Sequence, residues 1–447
     1  MDMNALRRIG GATALVLVAG GCGDLLKVSS PGTLEEGQLD DPSSEQFVVN
    51  GAIGEFQFAY GAYVLFSGAL SDEVFTDHAN EPFREISLHA FNDLNVTNRE
   101  VYSNIQRARQ SADDATERVK KMQGANAGSS LNVARALIYA GYSYVLLGEG
   151  FCEAPVKDSA SLSSAELLAR AVTRFDEGIK VATAAAAVTN AALAQNFVNL
   201  ARVGAARASL KRGESAKARS YAELVPDTYE WLAYYSANSP REFNPLQISV
   251  RATSPFLGMS PAYQGQNDPR IPQPTASRTS LAAHQIFPPL KPSQYAGWAS
   301  ALPAQAIEVS THIRFASGLE ARYIVLEADG ANAAMLTFVN ARRAAGGKPQ
   351  VILSGSALVT EFRVQRALDF YLTGQRLGDL RRYAAAGTDL FPTGKFPVLP
   401  DSYGTNHCFL VPQSEKTGVG AIIASSRIVD QRRNALVSLR AVDELAR

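Results

Sequence analysis

Acidic side chains and a histidine near the start of the chain are of the types that bind metal ions. The group consists of Asp72, Glu73, Asp77 and His78. Short acidic loops are more often hydrated than loaded with metal, so this pattern alone predicts no metal site. His407-Cys408 could form half of a zinc site, but no second ligand pair stands at a suitable spacing. We therefore expect no bound metal and no cofactor.

The short motifs that mark common enzyme classes are missing from the sequence. It contains no G-x-S-x-G nucleophile elbow, no phosphate-binding Walker loop and no glycine-rich dinucleotide fingerprint. The carboxylate pair of a glycosidase is defined by a distance in space, so sequence spacing does not reveal one. The sequence thus favours a protein that is not an enzyme, with a secreted hydrolase as an alternative.

Composition and charge narrow the class of protein further. The chain has 447 residues, of which 43 are basic and 43 are acidic, and 46% of all its residues are hydrophobic. This balance excludes a strongly basic nucleic-acid-binding protein, and the hydrophobic content is sufficient for a large core. We expect no nucleic-acid partner.

The N-terminal segment has the pattern of an export signal. Arg7 and Arg8 precede about a dozen apolar residues, too few to span a bilayer. Ala19-Gly20-Gly21-Cys22 follows and resembles the lipobox of bacterial lipoproteins, in which the cysteine is acylated. We predict a lipoprotein signal peptide at 1–21, lipidation at Cys22 and a polar tether at 22–44. The alternative is ordinary secretion with cleavage at the small residues.

Two further cysteines remain in the exported part of the chain. Cys152 and Cys408 would meet in an oxidising compartment, so we predict a disulfide between them. The alternative is a pair of buried free thiols, and a Cα separation beyond about 7 Å would exclude the bridge.

Apolar and small residues recur at helical spacing through the middle of the chain. The pattern predicts helices over 103–122, 131–147, 164–179, 196–210 and 214–224, arranged in pairs. Ala206 and Ala218 flank a turn with the spacing of a tetratricopeptide-like helical hairpin. Residues 226–318 form a proline-rich and loop-rich insertion, which disfavours long helices and central strands. The predicted fold is mainly α, a superhelix of helical hairpins with long loops and a few short strands.

An ordered series of short blocks resembles the RagB/SusD family of nutrient-uptake lipoproteins. The blocks are Cys22-Gly23-Asp24-Leu25-Leu26, Leu70-Ser71-Asp72-Glu73, Ala134-Arg135-Ala136-Leu137 with Gly148-Glu149-Gly150-Phe151, Asn267-Asp268-Pro269-Arg270, 361–383, and Val411-Pro412-Gln413-Ser414-Glu415. The sequence departs from the family pattern at Ala367, at Thr373, at Leu377-Gly378 and in a tail beyond Gly418.

The resemblance implies a single SusD-like helical domain at 45–447 and a role in nutrient capture. The family's role implies a non-catalytic lipoprotein, anchored in the outer membrane and facing outwards from the cell. It would bind an oligosaccharide or another nutrient and deliver it to a TonB-dependent, SusC-like β-barrel transporter. The alternative is a helical-repeat scaffold that binds only protein.

The resemblance also implies a shallow ligand site built from an early loop, 72–100, and a mid-chain loop, 255–300. Flat aromatic rings would stack on sugar faces, while polar side chains would bind the hydroxyl groups. The candidate ligand-binding residues are Phe75, Asn80, Arg84, Tyr263, Asn267, Tyr295 and Trp298. Each could instead pack beneath the proline-rich loops.

Charged motifs late in the chain are interpreted as structural. Arg376, Asp379, Arg381 and Arg382 would form an ion-pair network that fixes the last helical hairpin, with an anion site as the alternative. Asp268-Pro269-Arg270 would form a turn with a salt bridge, with a ligand contact as the alternative.

Overall fold

A computed structural model of the chain describes residues 36–76, 80–157, 159–246, 257–271, 310–397 and 400–416, and the backbone of 278–279 and 286–287. The chain divides into two compact units, Met1–Ser44 and Glu45–Arg447. In the described part of the first unit, 3-10 turns at Glu36–Asp40 and Pro42–Ser44 are joined by a hydrogen bond from Ser44 Oγ to the Gln38 carbonyl. Cys22 and the predicted signal peptide lie outside the described residues.

Helices make up most of the described part of the second unit. They are α1 (Glu45–Ala69), α2 (Glu81–Ser87), α3 (Val96–Gln123), α4 (Leu131–Gly150), α5 (Ser164–Ala185), α6 (Ala191–Lys211), α7 (Ser215–Ala222), α8 (Gly318–Asp329), α9 (Ala333–Ala345), α10 (Gly355–Asp369) and α11 (Arg376–Ala385). Short polar side chains begin many of them. Ser163 and Glu166 form a reciprocal capping box at the start of α5, which satisfies amide groups that the helix leaves free.

Two 3-10 helices, Gly124–Ser129 and Pro240–Glu242, and short antiparallel strand pairs complete the described elements. The strands are β1 (Val74–Thr76), β2 (Glu153–Ala154), β3 (Leu162–Ser163), β4 (Glu230–Ala233), β5 (Leu257–Met259), β6 (Arg278–Thr279), β7 (Ile286–Phe287) and β8 (Ile313–Ser317). They pair as β1 with β5, β2 with β3, β4 with β8, and β6 with β7. The β1–β5 pair joins the loop-rich insertion to the early part of the chain, and the β4–β8 pair joins the two ends of that insertion.

The main core lies between the long helices α1, α3, α4, α5 and α6. Phe175 of α5 packs into it, where Gly141 of α4 and Gly204 of α6 leave room for its ring. A β-carbon on either glycine would come within 3.0 Å of that ring. The small residues of α4 and α6 therefore make room for an aromatic side chain of α5 in the core.

The mainly α fold with few short strands is confirmed. The helices are generally longer than predicted; α3, for example, begins at Val96 rather than at residue 103. Asn95 accepts a hydrogen bond from the Asn98 amide and fixes this earlier start. Among the described residues, no helix is both long enough and apolar enough to cross a membrane.

Candidate functional site

The β1–β5 pair brings together the two loop regions from which the site was predicted. Val74 lies opposite Met259 and Thr76 opposite Leu257. Just before β1, the Glu73 carbonyl accepts a hydrogen bond of 3.2 Å from the Ser260 amide. The early and mid-chain regions therefore meet at one edge of the helical body.

A cleft of about 280 Å³ opens beside this strand pair. Its lining combines Asp72 from the early loop, Tyr263 from the turn after β5, and one side of α10. The segment after α11 contributes Leu390. Early, mid-chain and late parts of the sequence thus form one concave surface, as ligand sites commonly require.

One ion pair in the cleft is already complete. Arg376 donates from Nε to Asp72 Oδ1 at 2.6 Å, and its Nη2 group contacts the other carboxylate oxygen. Burial opposes the charge of Arg376, but the adjacent Asp72 carboxylate prevails and holds the pKa of Arg376 well above its usual range. These two charges cancel, so the pair serves mainly to hold the early loop against α11.

Tyr263 brings a buried hydroxyl group to the cleft. Its side chain is only 3% exposed, and its ring lies 4.7 Å from that of Tyr371. The hydroxyl has no hydrogen-bond partner among the described residues. Burial raises the pKa of Tyr263 well above its usual range, so the hydroxyl stays protonated and can donate a hydrogen bond.

Arg363 brings an unmatched positive charge. Its guanidinium group lies over the Tyr383 ring, 4.3 Å from the ring centre, and it makes no ion pair with any residue that the structure describes. Its Nε is buried without a hydrogen-bond partner. A half-buried arginine held over a ring is restricted in position before a ligand binds.

Apolar side chains form the remaining wall of the cleft. Val364 of α10 is 42% exposed and Leu390 is 40% exposed. A wall of this kind can contact the C–H faces of a sugar ring while the donors bind its oxygen atoms.

A second groove lies on another face, along α1. Tyr234, 55% exposed, and Phe58 line it, and the Arg241 guanidinium lies 4.7 Å from the centre of the Phe58 ring. Arg241 is already paired with Glu55, so the described lining of this groove offers aromatic surface without an unmatched positive charge.

Phe75 is a packing residue, which corrects its prediction as a ligand contact. It is 1% exposed, and its ring lies 5.9 Å from that of Phe396. Gly258 stands opposite Phe75 in the strand pair, and its missing side chain leaves room for the phenyl ring. Tyr263 requires a partial correction, since its buried ring offers no open stacking surface even though the residue lines the cleft.

The other candidates occupy different settings. Asn80 caps α2 by accepting a hydrogen bond from the Phe83 amide. Arg84 is partly exposed on α2, and Asn267 is exposed with a left-handed backbone at φ 47°. The structure does not place Asn80, Arg84 or Asn267 in the lining of the cleft. Tyr295 and Trp298 lie outside the described residues.

The sequence patterns do not single out Arg363, Val364 or Leu390. Arg363 belongs to the block 361–383, which was interpreted as structural, and its neighbour Arg366 does form a buried ion pair. Arg363 and Arg366 lie three residues apart on the same helix, so their spacing does not distinguish the unpaired arginine from the paired one.

Most of the late charged motifs form the predicted networks. Arg381 is the exception, because it donates to the backbone carbonyls of Gly148 and Glu149 and forms no ion pair with a described residue. Arg382 pairs with Glu327, and Asp379 contacts both Lys211 and Arg366 at 2.6 and 2.8 Å. In the predicted turn, Arg270 Nη2 lies 2.7 Å from Asp268 Oδ2.

Cys152 and Cys408 are joined in a disulfide with their Cα atoms 5.3 Å apart.

The His407 ring, next to Cys408, stacks on Phe391, with 3.9 Å between the ring centres. Within the described ranges, no group of three metal-binding side chains converges. Asp77 and His78 lie outside those ranges.

Comparisons with known proteins identify solved structures with a similar architecture. No protein-family model matches the chain, and no curated protein sequence matches it. Among solved structures, it is similar to a SusD superfamily protein from Bacteroides vulgatus, with a TM-score of 0.62 and 11% identity over 83% of this chain and 95% of that one. It is also similar to surface glycan-binding protein A from Bacteroides thetaiotaomicron in complex with laminarihexaose, with a TM-score of 0.60 and 13% identity over 84% and 97%.

A third similar structure is a SusD-like carbohydrate-binding protein from Bacteroides vulgatus, with a TM-score of 0.55 and 15% identity over 76% of this chain and 83% of that one. The resemblance seen in the sequence is thereby confirmed at the level of the fold. The chain has the fold of the SusD-like proteins.

Proposed function

We propose that this chain is a non-catalytic lipoprotein of the RagB/SusD family that binds a carbohydrate and delivers it to a TonB-dependent β-barrel transporter. The SusD-like fold supports this proposal, because similar structures include a laminarin-binding protein and a complex with laminarihexaose. The observation that carries it is the cleft at the β1–β5 pair, where the two loop regions expected to hold the ligand meet.

The cleft supports binding rather than catalysis. A glycosidase needs two carboxyl groups about 5–10 Å apart across the scissile bond. Among the described lining residues, Asp72 is the single carboxylate, and Arg376 occupies both of its oxygens. A group held in this way is poorly suited to act as an acid, a base or a nucleophile.

The anchor follows from the sequence of the N-terminal segment. Acyl chains on Cys22 would each contribute roughly 0.8 kcal/mol per buried CH₂, and more than one chain is needed for a durable anchor. The protein would then lie at the outer surface of the outer membrane, beside its transporter. Cys22→Ala should move the protein from the membrane to the soluble fraction and abolish labelling by a palmitate analogue.

Calorimetric titration of the full chain with a panel of oligosaccharides that includes laminarihexaose tests the binding role. We expect at least one glycan to bind, and Arg363→Gln to weaken that binding. Arg322→Gln serves as the matched control, because Arg322 is an exposed arginine on α8 away from the cleft.

Three other outcomes separate the remaining alternatives. Loss of binding on Tyr234→Ala but not on Arg363→Gln would move the ligand to the groove along α1. Loss of binding on Trp298→Ala would assign that residue to the site. No binding to any glycan, with co-purification of a protein other than a β-barrel, would support the scaffold alternative and overturn the proposal.

A further inference from the structure

The charges that line the cleft are unbalanced. Among its described lining residues, three are ionised, namely Asp72, Arg376 and Arg363. The first two neutralise each other through paired hydrogen bonds, so Arg363 leaves one positive charge uncompensated. Tyr263 adds a hydroxyl donor that is also without a partner in the described part of the chain.

A neutral sugar is a poor match for this imbalance. A neutral sugar can bind the uncharged polar groups of Gln266, Thr360 and Thr388, but it leaves the charge of Arg363 uncompensated. The one carboxylate of the described lining is already paired with Arg376. An anion supplies the missing negative charge.

The two donors are also fixed before any ligand arrives. Tyr383 supports the Arg363 guanidinium, and Tyr371 packs against the Tyr263 ring. Donors held in place lose little conformational freedom on binding, which favours affinity.

We propose that the cleft recognises an anionic substituent of its sugar ligand, a carboxylate or a sulfate ester, through Arg363 and Tyr263. This inference rests on the proposed glycan-binding function and specifies the class of glycan. The apolar wall of Val364 and Leu390 then contacts the ring that carries the charge.

Matched pairs of oligosaccharides test the inference by calorimetric titration of the full chain. One pair is a galacturonic acid hexamer and its fully methyl-esterified form, and the other is a sulfated carrageenan hexamer and its desulfated form. We expect at least tenfold tighter binding of the charged member in one pair, which also identifies the acid. Raising the salt concentration should reduce this preference.

Variants locate the preference at the cleft. Arg363→Gln should abolish the discrimination between charged and neutral members, whereas Arg363→Lys should retain part of it because the charge remains. Arg322→Gln should leave the preference unchanged. Thermal unfolding of each variant verifies that it is folded.

The outcomes separate this inference from the function on which it rests. Equal affinity for charged and neutral members, or binding of laminarihexaose without either acid, overturns the anionic specificity and leaves carbohydrate binding intact. A charged preference that survives Arg363→Gln overturns the assignment to this cleft. Failure to bind any glycan overturns both proposals.

Discussion

Arg366 and Arg363 stand one turn apart on α10 and have opposite surroundings. Arg366 is buried, with its Nε 2.8 Å from Asp379 Oδ2 and its Nη2 3.0 Å from Gln375 Oε1. Arg363 faces the cleft, and the described residues give it no carboxylate partner. The difference separates two uses of the same side chain, since a paired arginine holds helices together and an unmatched one is available to a ligand.

The same contrast extends to the regions around each arginine. Beneath α11, buried ion pairs link α6, α8, α10 and α11. At the cleft, the charges that face the opening belong to one completed pair and one unmatched group. Substitutions in the first region should therefore change stability, and substitutions in the second should change binding.

Breaking the buried pair of Arg207 and Glu320 should give the largest effect. Arg207 donates from Nε and Nη2 to both Glu320 oxygens at 2.6 and 2.7 Å, and both side chains are almost fully buried. Arg207→Met strands the carboxylate and should lower the free energy of unfolding by about 3–5 kcal/mol. Denaturant unfolding measures this loss.

A surface pair provides the control for that prediction. Asp329→Asn removes the exposed partner of Arg219 and should produce no measurable change. An equally small effect at Arg207 would show that the buried network contributes little to stability. It would then contradict the contrast drawn between the buried ion-pair region and the cleft.

Removal of the disulfide should rank second. Cys152→Ser with Cys408→Ser opens a loop with a sequence separation of 256 residues. The double variant should lose about 2–4 kcal/mol of stability, mainly because the unfolded chain gains freedom. Glycan affinity should be unchanged, because neither cysteine lines the cleft. Loss of affinity in the folded double variant would show that the two regions are coupled.

Glu73 makes stability depend on pH at the border between the two regions. Its Oε1 accepts a hydrogen bond of 2.7 Å from the Leu372 amide, while Oε2 is buried without a partner among the described residues. Burial is the main cause that raises the pKa of Glu73 from 4.5 to about 8. The folded state therefore retains a proton that the unfolded state has released.

Stability from this group is complete below pH 4.5 and is lost as the pH rises towards 8. Burial lowers the pKa of His89 to about 4, so this residue opposes Glu73 only below about pH 6.5. Between pH 6.5 and 8, deprotonation of Glu73 should lower the free energy of unfolding by at most about 1.4 kcal/mol per pH unit. Glu73→Gln should remove this decrease. Parallel stability curves for the variant and the natural protein would contradict this.

The sequence was sufficient to predict the helical body, because core residues recur with a helical period and small residues mark close packing. It also indicated the two regions that meet at the site. It did not predict that Phe75 is buried, because that depends on Gly258 standing opposite it in a strand pair. It could not distinguish Arg363 from Arg366 either, since partners such as Asp379 lie on another helix.

The smallest effect on stability should come from the Tyr263 hydroxyl, compared with that of Tyr323. Both tyrosines are buried, but Tyr323 donates a hydrogen bond of 2.6 Å to Asp369 Oδ2, whereas the Tyr263 hydroxyl has no partner that the structure describes. Tyr323→Phe breaks a hydrogen bond to a charged group and should cost about 1.5–3 kcal/mol. Tyr263→Phe removes an unsatisfied group and should leave the melting temperature unchanged or slightly raised.

The ligand affinity of the Tyr263→Phe variant should nevertheless fall about tenfold, because the lost hydroxyl donates to the ligand. A stability loss at Tyr263 equal to that at Tyr323, with affinity intact, would place this hydroxyl among the structural groups and leave Arg363 as the cleft's single described unmatched donor.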